Sequence, residues 1–144
     1  MVIKQISVLL ENEPGRLAEV SDLLGKEGIN IRAVTVADTA DFGIIRFIVD
    51  DPAKAFQVLE SSGFPVKEKE VIAVEAPDHP GGLAAVLKPL NEANINVEYL
   101  YTFLEHRADK NAILIIRPDK IKEAIEALQK NWFRVFREEE IYSL

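Results

Sequence analysis

The chain repeats itself. A shift of 66 residues carries Gly15 onto Gly81, Leu17 onto Leu83 and Ile29-Asn30-Ile31 onto Ile95-Asn96-Val97. Further on, a shift of 69 lays Ala55-Phe56 over Ala124-Ile125 and Leu59 over Leu128. The three extra residues fall between Leu104 and Lys110, in a hairpin where insertions are cheap. A duplication of this kind means one supersecondary unit used twice, so a reading of either half must hold for the other. In 144 residues each half has about 70, too few to be comfortably stable alone, and the two are expected to pack against each other. Apolar content of 48% and charged content of 28% fit a folded chain. The expected domains are 1–70 and 71–144.

The first half reads as a strand over 3–11, then a helix from about Pro14 to Lys26 with Leu17, Val20 and Leu24 on one face and Leu23 widening it. Gly28 stops that helix, and Asn30-Ile31 opens a strand running to Ala37. Asp38 to Asp41 is a turn, and Ile44 to Val49 is a buried strand. Asp50-Asp51-Pro52 caps a second helix carrying Ala55, Phe56 and Leu59. Gly63 ends it, and a strand follows from Val66. The order is βαββαβ. Val71 to Ala76 then repeats the first strand, and Leu83, Val86, Leu87 and Leu90 repeat the first helix face. Lys67-Glu68-Lys69-Glu70 runs straight into Val71 with no linker composition, so the units should sit rigidly side by side. Pro89, inside a helix, predicts a kink.

The two strand-to-helix turns carry the candidate chemistry. In Asn12-Glu13-Pro14-Gly15-Arg16-Leu17, Pro suits the first helical position and Gly allows a close approach to the backbone. The opening turn of a helix has unpaired N–H groups and partial positive charge, which suit a carboxylate. Asp78-His79-Pro80-Gly81-Gly82-Leu83 does the same again. An amino-acid ligand needs donors for its carboxylate, acceptors for its ammonium and a pocket for its side chain. Backbone N–H groups around Gly15, Arg16 and Leu17, and around Gly81, Gly82 and Leu83, supply the donors. Asn12, Asn30, Asn96 and Asp78 supply acceptors. The plainer alternatives are turn or cap chemistry for Asn12 and Asp78, and post-helical turns for Asn30 and Asn96. His79 reads as an exposed turn residue or a ligand contact, and His106 as solvated. Tyr99, Tyr101 and Phe103 replace Ala33, Thr35 and Ala37, so the halves are unequal; sheet-face packing or a dimer contact is the simplest use for that stripe.

Other function classes fare poorly. A net charge of −7 disfavours nucleic acid and anionic membranes. No apolar run approaches the ~20 residues of a membrane span, and Met1 to Gln5 has no signal-peptide core, so a cytoplasmic location is expected. Without cysteine there is no disulfide, thiolate metal site or cysteine nucleophile. The two histidines lack metal-ligand spacing, and no nucleophile stands beside a base. No catalytic residue, metal or cofactor is therefore expected, and Glu138-Glu139-Glu140 reads as a solvated face. RNA-recognition domains share the βαββαβ order, but Lys4-Gln5-Ile6-Ser7-Val8 lacks their sheet aromatics.

The βαββαβ order, the Asn/Asp-x-Pro-Gly-x-Leu turn and Gly28-Ile29-Asn30-Ile31 resemble the ACT domain, a small regulatory module that commonly binds amino acids. The resemblance covers nearly the whole chain as two copies. It implies an α+β fold of two tandem ferredoxin-like units and an allosteric, non-catalytic role. It also implies an amino-acid ligand where two modules meet, Asn12 sharing a site with Asn96 and Asp78 with Asn30, with Pro14, Ile31 and Val97 beside them. Some serine-binding members carry His two residues before the turn Asn; Leu10 and Ala76 stand there, which speaks against serine. Leu9-Leu10-Glu11-Asn12-Glu13 with Gly15 and Leu17 also resembles the start of the acetolactate synthase small subunit, which binds valine. A homodimer or a partner enzyme are the remaining partners the resemblance implies.

Overall fold

A computed structural model describes residues 1–38, 41–104 and 111–144. The expected turn at Thr39-Ala40, the inserted hairpin residues and His106 lie outside the described residues. The chain divides into two compact units, Lys4–Lys69 and Glu70–Leu144, the latter together with Met1–Ile3.

In the first unit, β1 (Ile3–Glu11) pairs antiparallel with β3 (Phe42–Val49), which also pairs antiparallel with β2 (Ile31–Asp38). The register sets Ile6 and Val34 against Phe47, and Leu10 against Gly43. The Leu9 N–H donates to the Pro65 carbonyl at 3.1 Å, just before β4 (Val66–Pro77) begins. Alternation puts Ile6, Val8 and Leu10 with Ile45, Phe47 and Val49 on one face. There they pack with Val20 and Leu24 of α1 (Arg16–Lys26) and with Ala55 and Leu59 of α2 (Pro52–Ser61).

The second unit rebuilds this pattern. From Glu70 on, β4 pairs antiparallel with β6 (Asn111–Pro118), and β6 with β5 (Val97–Thr102). The core holds Ile72, Val74 and Ala76, with Val86 and Leu90 of α3 (Gly82–Glu92) and Ala124 and Leu128 of α4 (Ile121–Lys130). The returning sixth element shrinks to one bridge, Val74 to Val135, flanked by Glu75 N–H to Arg134 O at 3.0 Å and Phe136 N–H to Ala73 O at 2.9 Å. Each unit is thus a ferredoxin-like βαββαβ, and the α+β class is as read from the sequence.

Three local readings change. Residues 66–77 form one twelve-residue strand rather than two, because Lys67 to Glu70 contains no breaker. The N-cap of α1 is Gly15 at φ +87°, so the helix starts at Arg16 and Pro14 lies outside it; the proline at the opening of a helix is Pro52 in α2. Glu138–Tyr142 is a short helix, α5, with Ile141 fully buried, so the glutamate run is a helical first turn. Glu140 in that turn accepts from Arg137 and is paired with Arg134, and these hydrogen bonds hold its carboxyl at about 2. Tyr101 and Phe103 are buried and Tyr99 half-buried, which suits packing on a sheet face.

Candidate functional site

Both turns are built alike. Gly15 (φ +87°) and Gly81 (φ +84°) are left-handed N-caps with no side-chain cap. A Cβ at either would meet nothing within 4 Å, so glycine is required for its backbone conformation and not for space. The helical hydrogen-bond ladder first reaches the glycine carbonyls from Glu19 and Ala85, at 2.9 and 3.0 Å. Ahead of these, Arg16 and Gly82 donate to the carbonyls of Glu13 and His79 at 3.4 and 2.9 Å. Among the described residues, the N–H groups of Leu17, Ala18, Leu83 and Ala84 have no backbone acceptor. Two adjacent unpaired donors at a helix start make a carboxylate-sized anion position. Leu17 and Leu83, expected to face the cores, are each 46% exposed beside these donors.

The second positions are also matched. Asn30 and Asn96 are exposed, and each is clipped through its backbone. The Asn30 N–H donates to the Asp50 carboxylate at 3.0 Å while the Asp50 N–H returns to the Asn30 carbonyl at 3.2 Å. Asp119 does the same for Asn96, at 3.0 Å in both directions. This backbone clip leaves the side-chain amides out of the exchange. Within one unit, Asn12 and Asn30 stand at opposite ends: β1 and β2 both flank β3, with Leu10 and Asp38 opposite Gly43 but Ile31 opposite Val49.

The turns differ at three of their six positions, Asn12 against Asp78, Glu13 against His79 and Arg16 against Gly82, and the last changes the local structure most. In the first unit Arg16 reaches Glu11, Glu13 and Glu19 at 3.6, 3.9 and 3.2 Å, and the Glu19 hydrogen bond with the Glu11 charge raises its pKa. Arg16 lies between a hollow of 260 Å³ that includes Phe42 and Phe64 and one of 150 Å³ that includes Asn12, Leu17, Val36 and Gly43. The equivalent residue in the second unit is Gly82, where a Cβ would lie 1.8 Å from the Pro77 carbonyl oxygen. Asp78 and His79 are exposed there, and the His79 Nδ1–H donates to the Pro80 carbonyl at 2.9 Å. The Arg16 cluster and the Asp50 and Asp119 clips are functional-site features that emerge in the structure. The i, i+3 spacing of Glu13, Arg16 and Glu19 was the available signal for the cluster. Among the described residues, no three His, Cys, Asp or Glu side chains converge as for a metal ion. No helix among them is long and apolar enough to cross a membrane.

A ferredoxin-like unit used twice, with a matched glycine turn in each copy, defines a tandem α+β architecture. Residues 1–144 match the family described as an ACT domain pair, and the chain belongs to that family. It is 39% identical to protein BT0572 from Bacteroides thetaiotaomicron, covering 100% of this chain and 98% of that one, with a TM-score of 0.93. The ligand-free regulatory subunit of aspartate kinase from Thermus thermophilus shares the fold at 17% identity, with 90% and 96% coverage and a TM-score of 0.65. The acetolactate synthase small subunit of Buchnera aphidicola subsp. Baizongia pistaciae is 43% identical over 44 residues, a match that spans 31% of this chain and 28% of that protein.

Proposed function

We propose that the chain is an amino-acid-sensing regulatory protein. The carboxylate of the ligand takes the free N–H groups behind Gly15 or Gly81, with Arg16, Leu17, Gly82 and Leu83 around it. Asn12 or Asp78 on one unit and Asn96 or Asn30 on another receive the ammonium, with Pro14, His79, Ile31 and Val97 completing the wall. The observation that carries this reading is the recurrence in both units of a left-handed glycine N-cap followed by two unpaired donors. Membership of the ACT family supports it, since the resemblance implies an amino-acid ligand at this turn. So small a ligand should bind at micromolar to millimolar strength.

A thermal-shift screen against the twenty amino acids tests this, because a ligand of the folded state raises its melting temperature with its excess over Kd. At least one amino acid should shift the transition, and Asn12→Ala with Asp78→Ala should abolish that shift. A screen in which none does would remove the reading. The match to the acetolactate synthase small subunit favours a second one, in which the same site acts within a larger enzyme. Co-purification with a catalytic chain would support that assignment; amino-acid binding without one would support a free-standing sensor.

A further inference from the structure

The sheet of the first unit has a second face, turned away from α1 and α2. Alternation along β1 and β3 brings Ser7 and Leu9 to it, opposite Arg46 and Ile44 in the register. Lys67 and Lys69 at the start of β4 join them, and these six residues line most of a hollow of about 300 Å³. Its surface is divided. Leu9, 43% exposed, and Ile44 form an apolar row, whereas Arg46, Lys67 and Lys69 form a cationic one. Among the described residues none of its lining is acidic, although the chain as a whole carries −7. Cations gathered over an apolar floor, in a concavity that admits small molecules, select by charge and by tail together.

We propose that this hollow is a second binding site, for an organic carboxylate with an apolar tail. The carboxylate head would lie against the exposed Lys67 and Lys69, with Arg46 adding to the positive field, and the tail along Leu9 and Ile44. The site is distinct from the glycine turns and does not depend on amino-acid binding there.

Octanoate is a suitable probe, titrated into the full chain at low salt and followed by amide NMR shifts. Saturable shifts should centre on Ser7, Leu9, Ile44 and Lys67. The exposed pair Lys67→Glu and Lys69→Glu should keep the melting temperature and weaken binding by about tenfold. Butanoate, with less tail to bury, should bind at least about tenfold more weakly, and 1-octanol, lacking the charge, should not saturate. Asn12→Ala with Asp78→Ala should leave the octanoate titration unchanged, which separates this site from the amino-acid site. Absence of saturable shifts at these amides, equal binding by the lysine variant, or equal binding of octanol would overturn the proposal.

Discussion

Arg16 and Gly82 occupy the same place in the repeat and could hardly be used more differently. At 82 the helix start presses on the Pro77 carbonyl so closely that even a methyl has no room. Gly82→Ala must therefore push backbone against backbone, and should destabilise by about 3 kcal/mol, the upper end for overpacking. Chemical denaturation followed by circular dichroism would measure it. Arg16→Gly removes only exposed ion pairs and should change stability little in the same assay. Trp132 is a second departure of this kind. Gly28, Gly63 and Asn94 follow α1, α2 and α3 with positive φ; after α4 the same position holds Trp132 at φ 67°, 94% exposed. A bulky residue there bears the left-handed penalty without burying its ring. Trp132→Gly relieves a left-handed penalty of about 1–2 kcal/mol against glycine's entropic cost of about 0.5–1 kcal/mol, so a net gain of about 0.5–1 kcal/mol is expected, read by circular dichroism because the chain's one tryptophan is lost. Destabilisation instead would show that the indole has work to do in the folded protein.

At the scale of elements, the sequence was most legible where a local rule had no tertiary competitor. Asp51 before Pro52 is a helix start by composition alone, and the structure has Asp51 accepting from the Lys54 N–H at 3.2 Å. Asp51→Ala should cost about 1 kcal/mol in a urea melt. The helix after Pro14 starts two residues later than its sequence suggests, because proline at a helix opening and proline just before a glycine N-cap look identical in sequence; φ at Gly15 decides between them. The α5 helix was missed because its glutamates satisfy a solvated-face reading equally well, and only the arginines at 134 and 137 distinguish the two. That pairing has a pH signature. Glu140 titrates at about 2 when folded, below its usual value near 4.5, held first by Arg137 and then by Arg134. A lowered folded pKa adds stability that is present above about pH 4.5 and disappears as pH falls toward 2. Wild type and Glu140→Gln should therefore differ in melting temperature at pH 6 and converge near pH 2. The asparagine pairing across units was stated from resemblance, since no spacing in one chain reveals which ends of two sheets meet.

For the whole molecule, duplication makes a matched experiment available. Leu59 and Leu128 are related by the shift of 69, both fully buried, and each belongs to the core of its own unit. If the second unit is a true structural copy, truncating either leucine opens an equivalent cavity in an equivalent place. Each of Leu59→Ala and Leu128→Ala should then lose about 2–5 kcal/mol, with similar values for the pair, measured by urea denaturation. Neither leucine belongs to the glycine turns, so any amino acid found to stabilise the wild type should raise the melting temperature of both variants as well. The size of that rise follows ligand excess over Kd and not the starting stability. A cavity variant that folds but no longer responds would mean that the turn geometry depends on core packing, with Val20, in the same core as Leu59, and Val86, in the same core as Leu128, as the helix residues through which that dependence would be traced.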